Sequence, residues 1–175
     1  MLGIDKININ QNQFSDLINL LNGVFYPIEN FVTKFEFLEI INNKKFKNNF
    51  FPFPIYFGIS KKIYHKFKNK DKFDLYYKKK YLLNIFNVKF YSLDKKKICN
   101  KIFGNNYLKH PYSKKFINDN YKFISFNYKA ISKTNLKHKY FFSPSVFKKK
   151  LKINKISTLA SFHTRNVPHK AHQWI

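Results

Sequence analysis

Asp71-Lys-Phe-Asp-Leu-Tyr-Tyr77, then Lys78-Lys-Lys80, then Tyr81-Leu-Leu-Asn-Ile-Phe-Asn-Val-Lys-Phe-Tyr91, reads as two strands and the turn that joins them. Aromatic, β-branched and leucine side chains fill both runs, and three successive lysines are most economically a solvated turn. The pattern extends upstream. Residues 53 to 60 and 63 to 67 are also short, aromatic or β-branched runs separated by Lys/Asn breaks. Downstream, residues 121 to 129 alternate apolar and polar side chains as a half-buried strand should. The spacing predicts a compact, mostly antiparallel β domain.

Helices flank it. Leu17, Leu20 and Leu21 fall on one helical face, with Ser15 as the expected N-cap and Gly23 as the left-handed stop. Thr33 and Glu36 form a capping box that opens a helix with Phe37, Leu38 and Ile41 as its apolar stripe. Asp94 caps a helix running through Ile98 and Ile102 to Phe103, stopped by Gly104, with Lys95-Lys-Lys97 as a solvated face. His110, preceding Pro111, reads as a loop residue bonding backbone. Ser143-Pro144 starts a helix carrying Val146, Phe147 and Leu151. The fold class is α+β.

The chain has 175 residues, room for one ordinary domain and the start of a second. Its 44% hydrophobic and 20% aromatic content excludes wholesale disorder despite the charge. A net charge of +25 would ordinarily point to nucleic acid. Lys, Asn, Phe, Ile and Tyr, however, are all encoded by A/T-rich codons and are in excess together, so base composition accounts for the lysines. One cysteine, Cys99, allows no intramolecular disulfide. Met1 to Lys6 has no basic-then-apolar signal, and no apolar run approaches the length of a membrane helix. A cytoplasmic protein with no membrane partner is expected.

One stretch breaks the style of the rest: Ser161-Phe-His-Thr-Arg-Asn-Val-Pro-His-Lys-Ala-His172. It holds Arg165, the single arginine among 34 basic side chains. A guanidinium meets an oxyanion with two parallel hydrogen bonds and stays charged when desolvated, which an ammonium does not. Arg165 therefore reads as an oxyanion clamp. The run from Ile156 to Phe162 suits a buried strand, and Pro168 suits the first turn of a following helix. Strand, loop and helix N-terminus would form a phosphate site, with His169 and His172 on one helical face near it. His-x-x-His could instead hold a metal, although no clear third ligand is present, or could be a structural pair.

His163-Thr-Arg-Asn166 followed by Pro168-His-Lys-Ala-His172 resembles the Q-T-R-N…P-x-H-R-A-H signature of ATP sulfurylase, sulfate adenylyltransferase. The family's Gln is His163 here, which can still donate one hydrogen bond, and its Arg is Lys170. Residues 16 to 31 resemble the family's D-L-E-L-L-x-x-G-x-F-S-P-L-x-G-F, and residues 52 to 60 its P-x-P-I-x-L-x-V-S. Phe103 to Pro111 resembles F-G-T-x-D-x-x-H-P, with Asn105 and Tyr107 in place of Thr and Asp. Ser143 to Lys148 resembles the T-P-x-x-x-R helix.

The resemblance implies a PUA-like N-terminal domain over residues 1–152, then the first strand and helix start of a Rossmann-like nucleotidyltransferase domain over 153–175. It implies transfer of the adenylyl group of MgATP to sulfate, giving adenosine 5′-phosphosulfate and pyrophosphate. Mg2+ would enter as MgATP. Arg165 and His163 would bind sulfate. Thr164, Arg165 and Asn166 would form the catalytic cradle, and His163, His169 and His172 would join them in binding ATP. Family members continue for a whole further domain, so the chain alone is expected to be inactive and to need a C-terminal catalytic segment. A homo-oligomer stays open. The competing expectation is a basic PUA-like RNA-binding module without catalysis.

Overall fold

The molecule is described here from a computed structural model over residues 5–129 and 143–160, two units taken each by itself. In the first, the expected hairpin is present: β5 (Phe73–Tyr77) pairs antiparallel with β6 (Lys80–Tyr91), turning through Lys78 and Lys79 at positive φ. β6 pairs antiparallel with β7 (Lys122–Tyr128), and β7 with β4 (Phe57–Ile59). The sheet is completed by β1 (Lys6–Asn8), parallel to β5, giving the order β1-β5-β6-β7-β4. A separate hairpin joins β2 (Lys45–Phe46) to β3 (Asn49–Phe50). The α+β class and the mostly antiparallel sheet are as expected; the parallel β1 is an addition.

β7 departs from the half-buried reading. Phe123, Ile124, Ser125 and Phe126 are all buried in succession, so both faces of this strand are covered. Lying between β6 and β4 explains why alternation in its sequence understates its burial. In β6 the ladder slips between Phe86 and Lys89, with Asn87 at φ 53° as the bulged residue.

Helix starts were the most legible feature. Thr33 opens α2 (Lys34–Asn43) through the expected capping box: its Oγ1 accepts from the Glu36 N–H at 3.3 Å, while Glu36 accepts from the Thr33 N–H at 2.8 Å. Asp94 caps α4 (Lys95–Phe103), accepting from the Lys97 N–H at 3.0 Å. α1 (Gln11–Leu21) begins before the expected Ser15. Its capping box is Asn10 with Gln13, an amide version that the polar run hides. Gly23 takes φ 70° after its end, as expected.

Residues 63 to 67 are a correction: they belong to α3 (Lys61–Phe67), not to a strand. Ser60 caps it, accepting from the Ile63 N–H, and Ile63 and Phe67 are four apart, so one helical face carries both. α5 (Pro111–Asp119) follows the loop expected at His110 and is an addition to the expected helices. Lys95 is likewise not a free solvated side chain. Its ammonium donates to the Ile117 and Asn120 carbonyls at the C-terminal end of α5, where a cation meets the helix dipole.

The core joins the sheet to the helices through aromatic rings. Phe37 of α2, 1% exposed, lies 6.2 Å from Phe123 of β7 and 6.4 Å from Phe116 of α5 between ring centroids. Phe57 meets Phe31 at 5.1 Å and Phe126 at 5.4 Å, both edge-to-face. The segment before α2 is anchored by side chains of the sheet: the Tyr91 hydroxyl donates to the Val32 carbonyl at 2.9 Å, and that of Tyr128 to the Glu29 carbonyl at 2.6 Å.

In the second unit, α6 (Pro144–Ile153) starts as expected, with Ser143 accepting from the Val146 N–H. The strand expected from Ile156 is not formed over the described residues 156–160, which are exposed and without a ladder partner. A lone apolar run cannot satisfy its backbone as a strand without a neighbour. Among the described residues no helix is long and apolar enough to cross a membrane.

Candidate functional site

α1 buries Leu17, Ile18 and Leu20, which leaves the preceding residue, Asp16, on the shoulder of the helix. That shoulder borders a cleft of about 1020 Å³ walled by α1, α2, α4, α5 and the segment 52–60. Tyr56 stands in it, its ring 5.4 Å from Phe116 and 5.8 Å from Phe37 between centroids. Its hydroxyl is 3.1 Å from the hydroxyl of Tyr112, which comes from the first turn of α5. One phenol donates to the other, so the pair keeps one O–H free to donate elsewhere.

The charges in the cleft are unevenly matched. The Asp16 carboxylate is half-buried and has no hydrogen bond or ion pair among the described residues; burial holds its pKa above the usual carboxylate range. The Tyr56 phenol is pushed up by burial first, then by the Tyr112 hydrogen bond, with smaller contributions from Tyr112, Asp16 and Cys99. Asp16 and the buried Cys99 thiol are thus both within electrostatic reach of Tyr56. Lys101 is engaged by Asn42 at 2.7 Å, and Lys44, Lys115 and Asp119 complete the charged lining.

Among the described residues no three His, Cys, Asp or Glu side chains gather as metal ligands. The two described histidines are engaged: His110 Nδ1 accepts from the Tyr112 N–H at 3.2 Å with its ring stacked 4.1 Å from Phe103, and His65 packs on Tyr64 and Tyr121. The loop role expected of His110 is therefore its role, with the addition that it caps α5. The expected site residues His163, Thr164, Arg165, Asn166, His169 and His172 lie outside the described residues. The cleft was not foreseen. Its one available signal was Asp16, an acid on the flank of an apolar stripe in a chain with only nine acidic residues.

The model of the PUA-like domain family matches residues 2–132, three-quarters of the chain and nearly the whole of the first unit. The chain belongs to the PUA-like domain family. Its similarity to curated proteins runs further. A sulfate adenylyltransferase of Persephonella marina is 26% identical over 98% of this chain and 46% of its own length. That of Schizosaccharomyces pombe is 25% identical over 97% of the chain and 36% of its own, and that of Pyrococcus abyssi 23% over 97% and 45%. The PUA-like chain thus spans less than half the length of these curated relatives. The cleft beside Asp16 lies within the PUA-like region, whereas the residues from Ser161 to His172 lie beyond it.

Proposed function

We propose that these residues form the PUA-like portion and the beginning of the catalytic domain of a sulfate adenylyltransferase. The observation that carries the reading is similarity to proteins of that name over 97–98% of this chain, including the residues past the PUA-like match. The division proposed is 1–152 for the first part and 153–175 for the second, the latter opening a Rossmann-like fold. MgATP and sulfate are the substrates, and pyrophosphate leaves as sulfate oxygen attacks the α-phosphorus.

A reaction without a covalent intermediate depends on positioning and on stabilising charge as it moves. Arg165 holds sulfate through paired N–H donors, with His163 supplying one further donor. Thr164 and Asn166 shape the cradle around the phosphates. His169 and His172 follow the charge onto the departing pyrophosphate. In this reading a downstream catalytic segment completes the nucleotide site, and the present residues alone turn over little or no substrate.

The test is ATP formation from adenosine 5′-phosphosulfate and pyrophosphate, measured on the chain alone and with the downstream segment supplied. Activity only in the complete assembly, lost on Arg165→Lys, is the expected result. Full activity in the Arg165→Lys assembly would overturn the assignment of the clamp. Inactivity of the complete assembly would overturn the reaction itself.

A further inference from the structure

The cleft beside Asp16 holds none of the residues assigned to that reaction, and its chemistry suits a different kind of ligand. Asp16 is a half-buried carboxylate without a partner among the described residues, in a chain with 34 basic side chains and nine acidic ones. Lys101 and Lys115 line the same cleft, yet Lys101 is held by Asn42, and neither bonds Asp16. A desolvated and unpaired carboxylate costs stability wherever it is kept. Beside it stand Tyr56, partly buried, and Tyr112, half-exposed, a hydroxyl pair with one proton free to donate.

We propose that the cleft binds a small organic cation: a protonated amine carried on a flat, aromatic or heteroaromatic body. The ammonium donates to the Asp16 carboxylate, replacing the hydration the carboxylate lost to burial. The body lies against the accessible rings of Tyr56 and Tyr112, where aromatic faces favour both a flat partner and a nearby positive charge. The free O–H of the Tyr56–Tyr112 pair reaches an acceptor on the ligand or Asp16 itself. At about 1020 Å³ the cleft is at the upper end of the volumes that hold small molecules, so the body has room to be larger than one ring. Lys44, Lys101 and Lys115 outnumber Asp16 and Asp119 in the lining and oppose any cation, so the direct contact with Asp16 must outweigh them and a second ammonium is excluded.

Three probes of one shape and different charge separate this from general greasiness. Phenethylammonium, neutral 2-phenylethanol and anionic 3-phenylpropionate are titrated into the 15N-labelled chain, and amide shifts are followed. The expected result is saturable shifting of amides at Asp16, Tyr56 and Tyr112 by the ammonium, with affinity about tenfold or more above the other two. Asp16→Asn should remove that preference while the spectrum stays dispersed. Equal binding of all three probes, binding of none, or an ammonium preference unchanged in Asp16→Asn would each overturn the proposal. These readouts need no catalytic turnover, so they stand or fall independently of sulfate adenylyltransferase activity.

Discussion

The side-chain amide of Asn120 occupies the space that a β-carbon on Gly58 would need: its Oδ1 lies 1.6 Å from where that carbon would be placed. Asn120 is not free to swing away, because its Nδ2 donates to the Phe116 carbonyl at 3.0 Å at the end of α5. The Gly58 carbonyl is also used, accepting from Gln13 of α1 at 2.7 Å. One glycine in β4 thus lets α1, α5 and the sheet edge close on each other. Gly58→Ala is expected to cost about 1–3 kcal/mol, the range for overpacking, through loss of the Asn120 bond and a shift of the strand. Urea denaturation measures it, and Asn120→Gly in the same chain should recover part of the loss.

Phe37 holds α2, α5 and β7 together through ring contacts. Phe37→Ala should destabilise by about 3–5 kcal/mol, as for other fully buried phenylalanines. The exposed Phe35, on the same helix and 76% accessible, should tolerate alanine within about 0.5 kcal/mol. Parallel melts of the two variants check the pair.

Burial raises the phenol pKa values of Tyr56, Tyr91 and Tyr128. A raised acid favours the protonated form in the fold, so the unfolded chain holds fewer protons once its tyrosines ionise at about pH 10. Stability from these three is fully present below that pH and falls as pH rises above it. Absorbance near 295 nm should show delayed phenolate formation in the folded chain. Tyr91→Phe should flatten the alkaline loss and lower stability at neutral pH by about 1 kcal/mol, through the hydrogen bond to Val32.

Asp16 follows the same sign in a lower pH window. With its folded pKa raised by burial, its contribution is favourable below about pH 3.9, where both states are protonated, and is lost as pH rises through the folded value. Asp16→Asn, uncharged throughout, is therefore expected to be more stable than the parent at pH 7, the advantage vanishing in acid. Denaturant midpoints across that range measure it, and a parent that is the more stable at pH 7 would contradict the assignment.

Lys95 ties α4 to the end of α5. Lys95→Met keeps the stem and removes the ammonium, leaving the Ile117 and Asn120 carbonyls short of a donor. A loss of about 1–2 kcal/mol is expected. Hydrogen exchange should quicken in the last turn of α5 before it does in α4.

Signals that act over three or four residues were readable from sequence: the Thr33–Glu36 box, the Asp94 cap and the Ser143-Pro144 start each fix a helix through neighbouring groups. The β5–β6 hairpin was readable for the same reason. β1 was not, because three residues carry no period and its place depends on Asp74 to Tyr76, far along the chain. α3 shows the ambiguity of short apolar runs, which one cap at Ser60 resolves. Beyond the acid at Asp16 the cleft was not legible: Asp16, Tyr56 and Tyr112 are united by tertiary packing, and no local pattern connects them. The chemistry proposed for residues 163–172 rests on motif and similarity, since those residues lie outside the described structure.

The pairing of β4 with β7 also sets a timetable. During synthesis, Phe57–Ile59 emerges with no strand to receive it, since its one sheet partner among the described residues is Lys122–Tyr128. Until that segment is made, the apolar Phe57 and Ile59 stay available to any other strand nearby. Completion of the sheet is therefore gated by residue 128, not by the early hairpin, and the nascent chain passes through a long interval with its hydrophobic seam open. Stalled chains ending before Lys122 should bind holdase chaperones, and those that expose Tyr128 should release them.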